Sequence, residues 1–318
     1  MKIRILFTAL LLCTTLGITA QTESETPAIE TKVTLHTKTG DIFGTLETPG
    51  TTGKKMPVAL IIAGSGPTDR DGNNPMMKNN SLKILASELS KSGIATLRYD
   101  KRGVAESISA VKSEADLRFE HYVDDAQQWI QLLKQDKRFS EVIVIGHSEG
   151  SLIGMMAGRS ADRFISIAGP GQSADKALKE QMGAQPKEIQ DVVVPMLESL
   201  AAGKIIDPVP QMLGSFLSPT VQPYMISWFK YDPQVEIKKL AIPILILQGS
   251  NDIQVSVDDA KRLLSAAPKA DLVIVNNMNH ILRIIEGDRQ ANAGTYANPA
   301  LPVSSELVKS ISRFILKK

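Results

Sequence analysis

The sequence predicts an α/β fold whose mostly parallel central sheet is covered by helices on both faces. Three observations point to it. From Pro57 onward, short apolar runs recur at residues 58–62, 94–97, 142–145, 164–168, 244–247 and 272–275. A run that is apolar at every position, rather than at alternate ones, fits a strand buried on both faces. The stretches between the first runs carry apolar residues at helical spacing, as in Leu82, Leu85, Ala86 and Leu89, and again in Val123, Ala126, Ile130 and Leu133. Strands that alternate with helices in this way form parallel sheets with helices on their faces.

The elements follow in chain order. Residues 1–20 pair a basic start, Lys2 and Arg4, with an apolar run that ends on Ile18-Thr19-Ala20. That pattern predicts a secretory signal peptide cleaved near Ala20, and with it an exported protein, periplasmic or secreted, of a bacterium. The run is short for a spanning helix, which needs about 20 apolar residues, so no stable membrane insertion is expected after cleavage. Residues 21–30 are polar and read as a flexible leader. Residues 31–48 alternate in "TKVTLHT" and "DIFGTLE" around Thr39-Gly40, the pattern of a hairpin with one half-exposed face. The core is expected to comprise residues 31–170 and 237–318, with 307–315 as its closing helix. Between the two parts, residues 171–236 show no clear strand and helix-like segments near 173–182, 186–201 and 221–229. They are expected to form a helical cap insertion, and its place between two sheet strands makes it a candidate pocket wall.

Composition narrows the function classes. The chain is 43% hydrophobic and 22% charged, which is ordinary for a soluble globular protein. Loss of the first twenty residues removes Lys2 and Arg4 and leaves basic and acidic residues equal, at 34 each. No basic excess points to a nucleic-acid partner. Cys13 is the single cysteine and leaves with the signal, so the mature chain has no disulfide, thiol nucleophile or cysteine metal site. No cofactor or metal is expected.

In an open parallel sheet, ligands and reactive groups gather beyond the C-terminal ends of the strands. After 142–145 comes Gly146-His147-Ser148-Glu149-Gly150, then the helical pattern "SLIGMMAG". Strand, sharp turn and helix around Gly-x-Ser-x-Gly is the setting of a nucleophile elbow. After 244–247 comes Gly249-Ser250-Asn251-Asp252, and after 272–275 comes Asn276-Asn277-Met278-Asn279-His280. The chain order Ser148, Asp252, His280 is that of an α/β-hydrolase catalytic triad. Of the other histidines, His36 falls in the hairpin, His121 at a helix start and His147 inside the elbow, which leaves His280 as the base. Asp258 and Asp259 compete with Asp252 but fall in the following helix. After 58–62, the loop Ala63-Gly64-Ser65-Gly66 can turn backbone N–H groups toward a developing oxyanion. The expected donors are the N–H groups of Ser65 and Glu149, with Gly66 as the alternative to Ser65. A phosphate-binding loop is excluded, because neither of the glycine-rich phosphate fingerprints is present. Arg70, Asp71, Asp100 and Arg102 are read as ion pairs between loops.

The segments "AGSGPTDRDGN", "RYDKRG", "GHSEGS", "QGSND" and "NHIL" occur in that order. On them the chain, over about residues 31–318, resembles secreted or periplasmic bacterial α/β-hydrolases of the esterase and serine-aminopeptidase-like group. The resemblance implies cofactor-free hydrolysis of small-molecule carboxylic esters with small acyl groups. The alternative is a peptidase with the same triad, for which Glu180, Glu188, Asp191 and Glu198 could hold a substrate ammonium. Less favoured are a thioesterase, a lactonase, or a silent hydrolase fold used for binding.

Overall fold

The apolar runs become strands, and a sheet covered on both sides buries all of them but the last; residues 272–274, in the strand at the sheet edge, are only half-buried. The computed structural model describes residues 27–50, 54–183, 185–214 and 216–317. The expected signal peptide lies outside the described residues. The strands are β1 (Ile29–Thr37), β2 (Gly40–Thr48), β3 (Met56–Ile62), β4 (Ala95–Tyr99), β5 (Phe139–His147), β6 (Arg163–Ile167), β7 (Ile244–Gly249) and β8 (Asp271–Val275). They form one sheet in the order β1-β2-β4-β3-β5-β6-β7-β8. β1 and β2 are an antiparallel hairpin, β2 runs antiparallel to β4, and β4 through β8 are parallel. β1 already includes Ile29 and Glu30, so the hairpin takes in the end of the stretch expected as leader. Pairing with Glu47 and Thr48 gives those residues backbone partners that their polarity did not announce.

The helices are α1 (Ser81–Lys91), α2 (Phe119–Gln135), α3 (Glu149–Ala157), α4 (Ala174–Met182), α5 (Lys187–Ala201), α6 (Gln222–Trp228), α7 (Pro233–Ile237), α8 (Val257–Ala266), α9 (Arg289–Gly294) and α10 (Ser305–Leu316). Side chains alternate along each strand, so the inner strands β3, β5, β6 and β7 feed two cores. Ala59 and Ile61 of β3, with Ile143 and Ile145 of β5, pack under α1 and α10. Val58, Leu60 and Ile62, with Val142 and Val144, pack under α2, α3 and α8. The segment between β6 and β7 carries α4 to α7, and Val193, Leu197, Tyr224 and Met225 from it join that second core. Among the described residues no helix is long and apolar enough to cross a membrane.

The strand order reverses at β3: β4 lies to one side of it and β5 to the other. Loops leaving neighbouring strands at such a point diverge and open a crevice at the strand ends. The C-terminal ends of β4, β3 and β5 stand side by side at that crevice.

Candidate active site

β5 ends at His147 and α3 begins at Glu149, which leaves Ser148 alone in the turn at φ 55°, ψ −124°. A positive φ at a residue other than glycine costs on the order of 1–3 kcal/mol and persists only where the surroundings fix it. Here the Ser148 N–H donates to the Ile167 carbonyl at 2.9 Å, and the Ser148 carbonyl accepts from the Ser151 N–H at 2.9 Å. The flanking glycines are needed for clearance. A Cβ on Gly146 would stand 2.2 Å from the Gly150 carbonyl oxygen, and one on Gly150 would stand 2.3 Å from that of Ile62.

Asp252 sits in the turn after β7. Its Oδ2 accepts from His280 Nδ1–H at 2.8 Å and from the Gln248 side-chain amide at 3.2 Å. Its Oδ1 accepts from the N–H groups of Gln254 at 2.8 Å and Val255 at 3.0 Å. Burial pushes this carboxyl up, but the facing His280, its hydrogen bond and the two N–H groups outweigh burial and hold it below the usual range. It is therefore ionised and fixes the His280 tautomer, with Nδ1 protonated. His280 Nε2 makes no hydrogen bond among the described residues, so it is free to accept a proton. The competing carboxylates do other work. Asp258 pairs with Lys261 in the open, and Asp259 closes the capping box of α8 with Ser256.

Two further contacts place His280. Asn279 accepts from the Arg283 N–H at 2.9 Å and donates to Asn292 and Thr295, which pins the loop. His147, beside the serine, donates its Nε2–H to the His280 carbonyl at 2.8 Å, with the rings 4.8 Å apart. Burial, reinforced by repulsion from the neighbouring His280 ring, pushes His147 down to about 4, so it is a neutral tether between the elbow and the base.

Ser65, Ser148 and Glu149 line one cavity of about 80 Å³, together with Leu152, Leu178 and Trp228. Through Ser65, Glu149, Leu178 and Trp228 it adjoins a cleft of about 850 Å³. Val104, Tyr122, Phe216, Tyr224, Met225 and Trp228 make that cleft largely apolar and aromatic. Gly66 lines the large cleft but not the small cavity. Ser65, Ser148 and Glu149 thus converge on one space, while Asp252 and His280 form a hydrogen-bonded pair tied to the elbow through His147.

The Glu149 carboxylate, given no role by the sequence, is buried. Its Oε2 lies 2.9 Å from Lys101 Nζ, and its Oε1 accepts from the Tyr224 hydroxyl. Lys101 also donates to the Gly64 carbonyl. Lys101 lies within "RYDKRG", between Asp100 and Arg102, so its segment is marked by charge; nothing in the local pattern singles out Tyr224 or Gln248. The neighbouring charges are ion-paired, though only Arg70 and Asp100, at 2.6 Å, join two loops: Asp71 pairs with Arg98 of β4 at 3.2 Å, and Arg102 with Asp125 of α2.

Known proteins resemble this chain in both sequence and fold. The serine aminopeptidase S33 family model matches residues 79–213. Esterase EstD of Thermotoga maritima is 27% identical over 275 residues, which span 82% of this chain and 62% of that protein. Among solved structures, Est1E from Butyrivibrio proteoclasticus with ferulic acid bound superposes with a TM-score of 0.61 at 16% identity, covering 90% of this chain and 100% of that one. The α/β hydrolase GrgF from a Penicillium species superposes with a TM-score of 0.55 at 14% identity, covering 79% and 91%. At these identities the structural likeness establishes the α/β-hydrolase fold.

Proposed function

We propose that this chain, an esterase/serine-aminopeptidase-like α/β hydrolase, is a carboxylesterase-type serine hydrolase acting on esters with small acyl groups. The observation that carries the reading is an ionised, buried Asp252 hydrogen-bonded to His280 at 2.8 Å, tethered beside a serine held at φ 55°. In this reading Ser148 Oγ attacks the ester carbonyl while His280 Nε2 takes its proton, and Asp252 holds the tautomer and stabilises the imidazolium. The N–H groups of Ser65 and Glu149 receive the oxyanion. The tetrahedral intermediate collapses, His280 returns the proton to the departing alkoxide, and water repeats the cycle on the acyl-enzyme. The cavity of about 80 Å³ at Ser148 suits a short acyl group, and the adjoining cleft has room for the alcohol portion.

The match to the aminopeptidase family model favours a peptidase as the second reading. Three of the four acids that such a reading needs lie elsewhere: Glu188, Asp191 and Glu198 are exposed and line neither cavity beside Ser148. Glu180 lines a pocket of about 370 Å³ that adjoins the Ser148 cavity through Pro170, Gln172, Ala177, Gln181, Gln254 and Val255, but there it is exposed and bonded to Gln172. With only one of the four near the site, they form no cluster of carboxylates facing Ser148 to hold a substrate ammonium, which supports the ester over the amide.

A chain-length series of p-nitrophenyl esters, run beside aminoacyl-p-nitroanilides, tests the assignment. Short esters are expected to be the best substrates, and faster anilide cleavage would favour the peptidase. Ser148→Ala is expected to lower kcat by something on the order of 10⁶, as serine knockouts in such triads do. Covalent labelling of Ser148 by a fluorophosphonate is also expected, and a folded protein that refuses the probe would favour a binding role. Export is part of the proposal and rests on residues 1–20; N-terminal sequencing of protein from an expressing bacterium should begin near Gln21.

A further inference from the structure

Lys101 is buried behind the elbow that carries Ser148. Its side chain and that of Glu149 are each 1% exposed, and the two are 2.9 Å apart. A lysine is almost never fully buried unless it is paired. An ammonium carries three donors, and two of those of Lys101 are spent on one site: one on the Glu149 carboxylate, one on the Gly64 carbonyl. The charge also lies 5.0 Å from the centre of the Tyr122 ring, and the second Glu149 oxygen is taken by Tyr224. The ammonium thus has partners on several sides.

The strand order explains why one side chain reaches both. Gly64 follows β3, Lys101 follows β4 and Glu149 follows β5, and β3 lies between the other two. The peptide linking Gly64 to Ser65 is planar and trans, so its carbonyl and its N–H point in opposite directions. A grip on the Gly64 carbonyl therefore aims the Ser65 N–H away from Lys101. That peptide passes close to the nucleophile: a Cβ on Gly64 would stand 3.2 Å from Ser148 Cβ. The next peptide has a weaker hold, since the Ser65 carbonyl accepts only from the exposed Thr68 hydroxyl at 2.8 Å. The second donor, the Glu149 N–H, heads α3 and has no acceptor within its own helix. It belongs to the same residue whose carboxylate Lys101 holds.

We propose that Lys101 is a positioning residue that sets both oxyanion donors at once, aiming the Ser65 N–H through the Gly64 carbonyl and the Glu149 N–H through the Glu149 carboxylate. The inference rests on the esterase reading and selects Ser65 over Gly66 as the loop donor. Lys101 touches no reacting atom. Its effect is confined to the transition state, where the oxyanion forms, so it alters turnover and leaves ground-state substrate binding alone.

The test is Lys101→Met in the full mature chain. Because that change leaves Glu149 buried without its counter-charge, it is paired with the double variant Lys101→Met/Glu149→Gln, which removes both charges. Turnover of a short p-nitrophenyl ester is read together with inhibition by an alkyl trifluoromethyl ketone, whose hemiketal oxygen would occupy the oxyanion hole. For a folded variant, kcat is expected to fall about 10²–10³-fold, the loss typical of one oxyanion donor. KM should stay within about threefold, and ketone affinity should fall in step with kcat. A folded double variant with kcat and ketone affinity close to wild type overturns the proposal. So does a loss that only tracks the amount of folded protein, because a structural lysine would act that way. Wild-type protein inert to esters and to fluorophosphonate sinks the hydrolase reading and this inference with it. Active wild type with unimpaired variants sinks the positioning role alone.

Discussion

On the acid–base side of the site, Asp252 takes two of its four hydrogen bonds from N–H groups two and three residues further along the chain, Gln254 and Val255. On the oxyanion side, Glu149 is held by Lys101, 48 residues earlier, and by Tyr224, 75 residues later. The first arrangement is mostly a turn that makes its own bonds and needs one distant partner, His280. The second has no local part: its three members come from a loop after β4, from the elbow and from α6. The acid–base side should therefore tolerate changes in the helices between β6 and β7, and the oxyanion side should respond to them.

The largest effect expected within this contrast falls on the acid–base side. Asp252→Asn should preserve the acceptor oxygen and the fold but supply the wrong partner for the His280 tautomer, lowering kcat about 10⁴-fold. Steady-state ester hydrolysis measures it, and a loss under tenfold would break the contrast by making Asp252 dispensable.

A smaller effect concerns the tether between the halves. His147 titrates near 4 in the folded protein against an ordinary 6.5. The unfolded chain therefore binds this proton first as pH falls. The contribution of the neutral ring to stability is complete above 6.5 and is lost as pH drops through 4. About 3 kcal/mol should disappear by pH 4. Urea unfolding of wild type and His147→Asn across pH 4–7 reads this, and parallel curves for the two proteins would remove His147 as the cause.

The smallest expected effect separates the members of the oxyanion side. Tyr224→Phe deletes one hydrogen bond to Glu149 but leaves the Lys101 pairing, so it should cost about 1–2 kcal/mol of stability. Thermal unfolding and ester turnover measure it together. A kcat loss under tenfold is expected, and one as large as that of Lys101→Met would move the positioning role from the lysine to α6.

Much of this site is visible in the sequence because its signals are local. Gly146, Ser148 and Gly150 record a turn in which a Cβ would strike backbone atoms, and the run before them records a strand buried on both faces. Asp252 and His280 each follow a strand end. The helix-like segments between β6 and β7 are legible from periodicity, but periodicity does not say that Tyr224 of α6 reaches Glu149. Gln248 was hidden for a related reason: it falls inside a strand whose burial hides its bond to Asp252.

The alternation of strand and helix, the elbow around Ser148 and the chain order of Ser148, Asp252 and His280 are all legible in the amino-acid pattern. Each of these follows from the side-chain pattern of a short segment, whichever segments lie beside it. The placement of β3 between β4 and β5 comes from the folded sheet, because a strand buried on both faces carries no mark of its neighbours. That choice brings Gly64, Lys101 and Glu149 to adjoining strand ends. A buried ammonium there is stable only where packing gathers its acceptors around it.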